Sequence, residues 1–215
     1  MSGQFSDEYR YENKSYSTID SAPFTVFDPR EYGLKPDGNS CSACWRGYYA
    51  QFSIIEKRLF IEKLYVEDED GKYPSISGIQ VRFQDEVDYF TVFPVYEDLS
   101  LFVPYTGKLL AGDEFLDEYY IHSGYQRIWA YKDVKEFIFE NGELKTVNDL
   151  SDIAAKLRKE APQGTLDSIF FGLEETEAMK PYLNEWWSPA KEQKKWTLNE
   201  ILLENSQKLR EKNKK

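Results

Sequence analysis

The sequence predicts an α+β protein in which a predominantly antiparallel β-sheet of hairpins and meander strands is followed by a helical C-terminal third. Three observations lead there. Aromatic residues make up 16% of the 215 residues, and such rings favour the half-buried, pleated surface of strands. Two stretches, near 48–66 and 136–147, are rich in β-forming residues on either side of a short turn. After residue 148 the β-rich runs give way to caps and helical spacing. The division that follows is a loose polar arm over 1–22, an antiparallel β domain over 23–148, and a helical region over 149–215 packed on that same domain. A chain of this length buries roughly 70% of its unfolded surface, so its core needs neither disulfide nor metal.

Taken in order, residues 1–22 are rich in Ser, Tyr and Asp without a sustained period, with an edge strand expected near 24–27. Residues 28–40 concentrate Pro, Gly, Asp and Asn, each of which fixes or frees the angles that turns need, so they read as a long loop. The runs 48–55 and 58–66 flank Glu56-Lys57 as a hairpin. The acidic run 67–70 closes it, because like charges repel and prefer water to a sheet interior. Further short strands are expected at 78–83, 88–92, 101–104, 119–122 and 128–131, in an antiparallel meander. Asn141-Gly142 between 136–140 and 143–147 has the chemistry of a two-residue turn with positive φ at both positions. A helix capped by Asp149 or Ser151 runs through residue 160, with Ile153, Ala154 and Leu157 on one face. A shorter helix is expected at 174–179, ahead of Pro181. A last one follows the capping box Thr197-Leu-Asn-Glu200.

The chain offers few parts for catalysis. Cys41-Ser-Ala-Cys44 invites a redox or zinc reading, but a closed zinc site needs four ligands and the sequence has two Cys and one His. A redox pair should follow a strand and open a helix, whereas here a loop precedes and a strand follows. The reading favoured is two small, partly buried residues entering a strand. His122 is the sole imidazole, and a dyad with Cys41 or Cys44 needs the two to meet in space. The acidic runs 67–70 and 113–118 lack calcium-loop spacing: with Gly71 at the sixth position, Val66 and Ser77 stand where acids are required. Phosphate-loop and nucleophile-elbow motifs are missing from the sequence. No cofactor and no metal are expected.

Charge points to the kind of partner. The net charge is −11, which argues against nucleic acid, because phosphate affinity comes from clustered Lys and Arg. Residues 191–215 hold eight Lys/Arg against four Glu, net +4, which leaves −15 on residues 1–190. The basic stretch is expected to fold back onto the acidic body. No run of about 18 apolar residues occurs, and the N-terminus lacks a secretory signal, so the expectation is a cytoplasmic protein with no membrane partner. Two closely spaced cysteines fit a reducing compartment.

Trp45-Arg-Gly-Tyr-Tyr49 puts a large ring, a guanidinium and two phenols into five residues, the groups that dominate binding hot spots. The same groups also build structural clusters, with Arg46 stacked on a ring and Gly47 permitting close approach. Ser42-Ala-Cys-Trp-Arg-Gly-Tyr48, the hairpin after it, and later Tyr105-Thr-Gly-Lys-Leu-Leu110 with Tyr120-Ile-His-Ser-Gly-Tyr125 resemble a pattern that recurs in uncharacterised bacterial proteins. The resemblance spans roughly residues 40–147, implies a bacterial cytoplasmic β domain, and transfers no catalytic residue.

These observations favour a non-catalytic protein-binding module, an immunity or inhibitor protein covering a basic toxin or enzyme, with Trp45, Arg46, Tyr48, His122 and Tyr125 as its contact residues. Two rivals stay open: a small enzyme using His122 with Cys44 or a carboxylate, and a structural or homo-oligomeric component.

Overall fold

Two hairpins form where local chemistry dictates them. In the computed structural model, which describes residues 3–19, 26–83, 93–121 and 124–159, strands β3 (Tyr48–Ile55) and β4 (Arg58–Val66) meet at Glu56 and Lys57. Both turn residues have positive φ, 48° and 62°, the geometry whose twist matches the flanking strands. Strands β8 (Tyr131–Glu140) and β9 (Glu143–Asp149) meet at Asn141 and Gly142 in the same way, with φ of 49° and 77°.

The N-terminal residues are part of the sheet, which corrects the reading of 1–22 as a loose arm. Strands β1 (Glu8–Tyr11) and β2 (Lys14–Thr18) form a tight hairpin. Their alternation is carried by tyrosines in an otherwise polar run: Tyr9 and Tyr16 are only 1% and 3% exposed. Strands β5 (Val95–Tyr96), β6 (Leu101–Phe102) and β7 (Gly107–Phe115) complete the set. β7 lies where no strand is expected from the sequence. Conversely, 119–121 is not a strand: Asp117–Tyr119 is a 3₁₀ turn, and Ile128–Ala130 is another that leads into β8. Residues 78–83 make only isolated bridges, Ile76 with Ile79 and Arg82 with Val95. The strand placed at 88–92, residues 24 and 25 of that at 24–27 and the helices expected at 174–179 and beyond 197 lie outside the described residues, and Val26 and Phe27 are not in a strand.

The sheet returns on itself. Its order is β3-β1-β2-β7-β8-β9-β4, and β4 pairs again with β3, so seven strands make a closed ring. All pairs in the ring are antiparallel except β1 with β3, which run parallel. The simple meander expectation is therefore replaced by a barrel in which the β1–β2 hairpin is inserted between β3 and β7. On the other edge of β4, β9 meets it at Arg58↔Glu143, β6 at Phe60 and Ile61, and β5 at Leu64 and Tyr65. Every strand of the ring sends side chains into one core, among them Tyr9, Tyr16, Phe52, Ile61, Leu109, Phe137 and Leu144. Such filling is expected of a small barrel.

Two bulges keep the inward faces aligned. Glu62 is an extra residue on β4 opposite Gln51 and Phe52, and resets the buried set from Leu59 and Ile61 to Leu64 and Val66. Lys145 is the extra residue on β9 opposite Ile138 and Phe139. The acidic loop after β4 is less solvated than expected: Asp68 is 5% exposed and accepts the backbone N–H groups of Lys35, Asp70 and Lys72.

Helix α1 (Ser151–Arg158) covers the outside of β8 with Ala154 and Leu157. Asp149 accepts the Ser151 N–H and hydroxyl just ahead of it, satisfying donors left free by the first helical turn. Arg158 reaches back to the carbonyls of Trp129 and Tyr131.

Gly142 is a tight point of the closure. Its φ is 77°, and an added Cβ would stand 2.3 Å from the Val103 carbonyl oxygen and 2.5 Å from the Phe102 ring. Gly142→Ala is expected to lower stability by roughly 2 kcal/mol or more, combining left-handed strain with overpacking. Urea unfolding followed by circular dichroism checks this, through a lower midpoint at unchanged slope.

Candidate functional site

The most densely connected surface loops meet at the N-terminal segment ahead of β1. Gln4 donates its backbone N–H to Gly124 O, its side chain bonds Ser42 O and the Trp45 N–H, and Phe5 N–H bonds Ala43 O. Residues 3–5 thus stitch the loop carrying Trp45 to the loop carrying Tyr120 and Tyr125.

Beneath this seam sits a buried ion pair. Arg46 Nη1 and Nη2 donate to Asp7 Oδ2 and Oδ1 at 3.0 and 2.7 Å, and Ala50 N–H donates to the same Oδ1 at 2.9 Å. The side chains are 14% and 8% exposed, and paired forks of this kind are the strong form of such contacts. Burial works against the Arg46 charge, but the Asp7 carboxylate outweighs it and raises the guanidinium pKa. Arg46 also lies over the Tyr48 ring, 4.8 Å from its centroid, and near Tyr125. Gly47, with φ of 72°, lets the backbone of Pro36 and Asp37 come within 2.7 Å of where a Cβ would stand, as a close approach requires.

The expected contact residues therefore divide. Trp45 is 50% exposed and is free to touch a partner. Arg46 and Tyr48 are not: Arg46 is held by Asp7, and Tyr48 is 8% exposed with its hydroxyl donating to Phe27 O at 3.1 Å. Their place in the contact set is corrected to a structural one, because both spend their polar groups inside the fold. Tyr125 is half-buried beside them. His122 lies outside the described residues.

The cysteines lie ahead of β3, Cys44 buried and Cys41 partly so. Cys44 N–H closes a turn on Cys41 O, and the Cys44 thiol, 2% exposed, donates to Tyr48 O at 3.3 Å. Burial pushes that thiol up to about 12, which removes the thiolate a nucleophile needs near neutral pH. Among the described residues, no group of three or more His, Cys, Asp or Glu could hold a metal, and no helix is long and apolar enough to cross a membrane.

A second set of exposed groups escaped the sequence reading. At the end of β7, Phe115 is 37% and Tyr120 44% exposed, their ring centroids 6.5 Å apart and nearly perpendicular. The carboxylates of Glu114, Asp117 and Glu118, all exposed, interleave with them. The interleaving is visible in the sequence, but the run was read as solvated charge beside a strand. Tyr120 also reaches the seam, its hydroxyl 2.8 Å from where a Gly3 Cβ would stand. Trp45 and Tyr120 thus flank the same N-terminal segment.

No protein-family model matches the chain, and neither a curated protein nor a solved structure matches it.

Two outcomes test this account. Asp7→Asn is expected to destabilise the fold by about 3 kcal/mol, since it strands a buried guanidinium, whereas Trp45→Ala should change stability by less than ~0.5 kcal/mol; denaturant midpoints decide. Burial also raises the Tyr48 and Tyr105 phenols to about 12. Groups raised on folding stabilise fully below their unfolded pKa, here ~8.5 for thiol and ~10 for phenol, and lose that contribution as pH climbs through the folded value. The urea midpoint should therefore fall between about pH 8 and about pH 11, with phenolate absorbance of these residues appearing only on unfolding.

Proposed function

We propose that this protein is a non-catalytic protein-binding module, an immunity or inhibitor protein of a bacterial cytoplasm, that covers a basic toxin or enzyme. The observation that carries it is the rim at the end of β7, where the exposed rings of Phe115 and Tyr120 alternate with the exposed carboxylates of Glu114, Asp117 and Glu118. Rings supply contact area at small entropic cost, and carboxylates around them steer a cationic partner and reject an anionic one. Trp45 adds a third exposed ring on the other side of the Gly3–Phe5 seam. The net charge of −11 extends the same field beyond contact range.

The thiol chemistry that a rival enzyme reading needs is disfavoured by the burial of Cys44 and its raised pKa. The Asp7–Arg46 pair supports the binding reading by fixing the loop beside Trp45 before any partner arrives, which lowers the ordering cost of association.

The test is affinity capture from an extract of the source cells with wild type, Phe115→Ala/Tyr120→Ala, and Glu114→Lys/Asp117→Lys/Glu118→Lys, each confirmed as folded by circular dichroism. A basic protein retained by wild type, released by added salt and lost with both variants is the expected result. Capture of nothing basic at low salt, or equal capture by all three, would sink the proposal.

A further inference from the structure

The ring of strands closes over only part of the length of β9. Leu144 donates its N–H to Lys57 O and Glu143 lies opposite Arg58, so the β3–β4 hairpin turn ends beside Leu144. From Lys145 onward, no strand lies on that side of β9 among the described residues.

The register shows which backbone groups are left over. Leu150 N–H bonds Val134 O on β8, and backbone direction alternates along a strand, so Asn148 and Thr146 also face β8 while Asp149 and Val147 face away. The bulge at Lys145 reconciles this alternation with Leu144 facing β4. Val147 and Asp149 therefore direct N–H and C=O groups out of the sheet, where none has a backbone partner among the described residues. An edge of this kind is a template for an added strand.

The side chains at this opening set the character of what would pair there. Val147 lies opposite Phe137, Tyr11 packs edge-on against Phe137 at 5.3 Å between centroids, and Ile54 is the next inward residue of β3 after Phe52. All three are partly buried hydrophobics against the core. Asp149 stands on the same inward face, bonded to Lys135 at 2.6 Å, with its side chain still 63% exposed.

We propose that the outer edge of β9 is a second binding site, which takes an extended segment of a basic partner chain as an added strand. The segment places an apolar side chain opposite Val147, over Tyr11 and Ile54, and a cationic side chain opposite Asp149. Polar residues between them face Thr146 and Asn148. Charge selects this occupant over a second copy, which would bring another −11 to the same edge. The site is separate from the aromatic rim at the end of β7 and stands whether or not that rim binds a partner.

The probe is a capped Lys-Thr-Val-Thr-Lys peptide titrated into the full-length protein and followed by amide shifts and hydrogen exchange. Shifts and slowed exchange at Val147 and Asp149 are expected, with affinity reduced roughly tenfold or more when the peptide valine is N-methylated, because its N–H can no longer donate to the Val147 carbonyl. Val147→Pro, which removes the acceptor strand's own outward N–H, should abolish the response in a protein whose circular dichroism is unchanged. Equal binding of the N-methylated peptide, or of a Glu-Thr-Val-Thr-Glu control, overturns the proposal. So does protection of these amides that grows with protein concentration without peptide, which would give the edge to a second copy.

Discussion

Asp7 holds the barrel together at its parallel seam. β1 and β3 are parallel neighbours, so no turn joins them, and parallel pairing needs a long excursion between strands. The Asp7 carboxylate supplies the link by taking both arms of Arg46 and the Ala50 N–H together. Its own carbonyl accepts the Thr18 N–H and hydroxyl, so one residue fixes β1 to β3 and to β2. From that anchor the hairpin bridges to β7, and the ring of seven strands follows.

The same pair explains why the neighbouring surface is ordered. Arg46 is drawn inward, the Tyr48 ring lies beneath it, and Trp45 is left outside on a turn whose N–H is held by Gln4. A large exposed ring on a fixed loop loses little entropy on binding, which is what the proposed recognition role would draw on. The buried charge beneath it and the exposed ring above it belong to one arrangement, with the first positioning the second.

The hairpins were legible because each is a local statement: a turn with its required backbone angles between two alternating runs. β7 was not, since Gly107, Gly112 and the acids at 113–114 dilute its apolar signal; Gly112 is present because Tyr131 packs against it, an added Cβ meeting that ring at 2.3 Å. β1 and β2 hid for a different reason, as Tyr9, Tyr11, Tyr16 and Thr18 are the inward residues of strands whose other positions are Ser, Lys, Arg and Glu. Closure depends on pairings such as Glu8 with Gln51 and Arg58 with Glu143, which no local pattern encodes. Of the site, Arg46 stacked on a ring and Gly47 at a close approach were readable. The Asp7 partner was not, because one acid in a polar segment carries no spacing.

The parallel seam between β1 and β3 also governs the order in which the chain can assemble. The β1–β2 hairpin finds its outer neighbours only after β3 and then β7 exist, and the ring is completed only by β9, near residue 149. Contacts so distant in sequence are slow to form. Until β7 forms, the hairpin's β2 edge is open, a state that invites pairing with the wrong chain. Its polar outward positions, among them Glu8, Arg10, Ser15 and Ser17, keep that waiting hairpin soluble. The composition that disguised these strands as a loose arm is therefore what suits a hairpin whose outer edge must wait for β7.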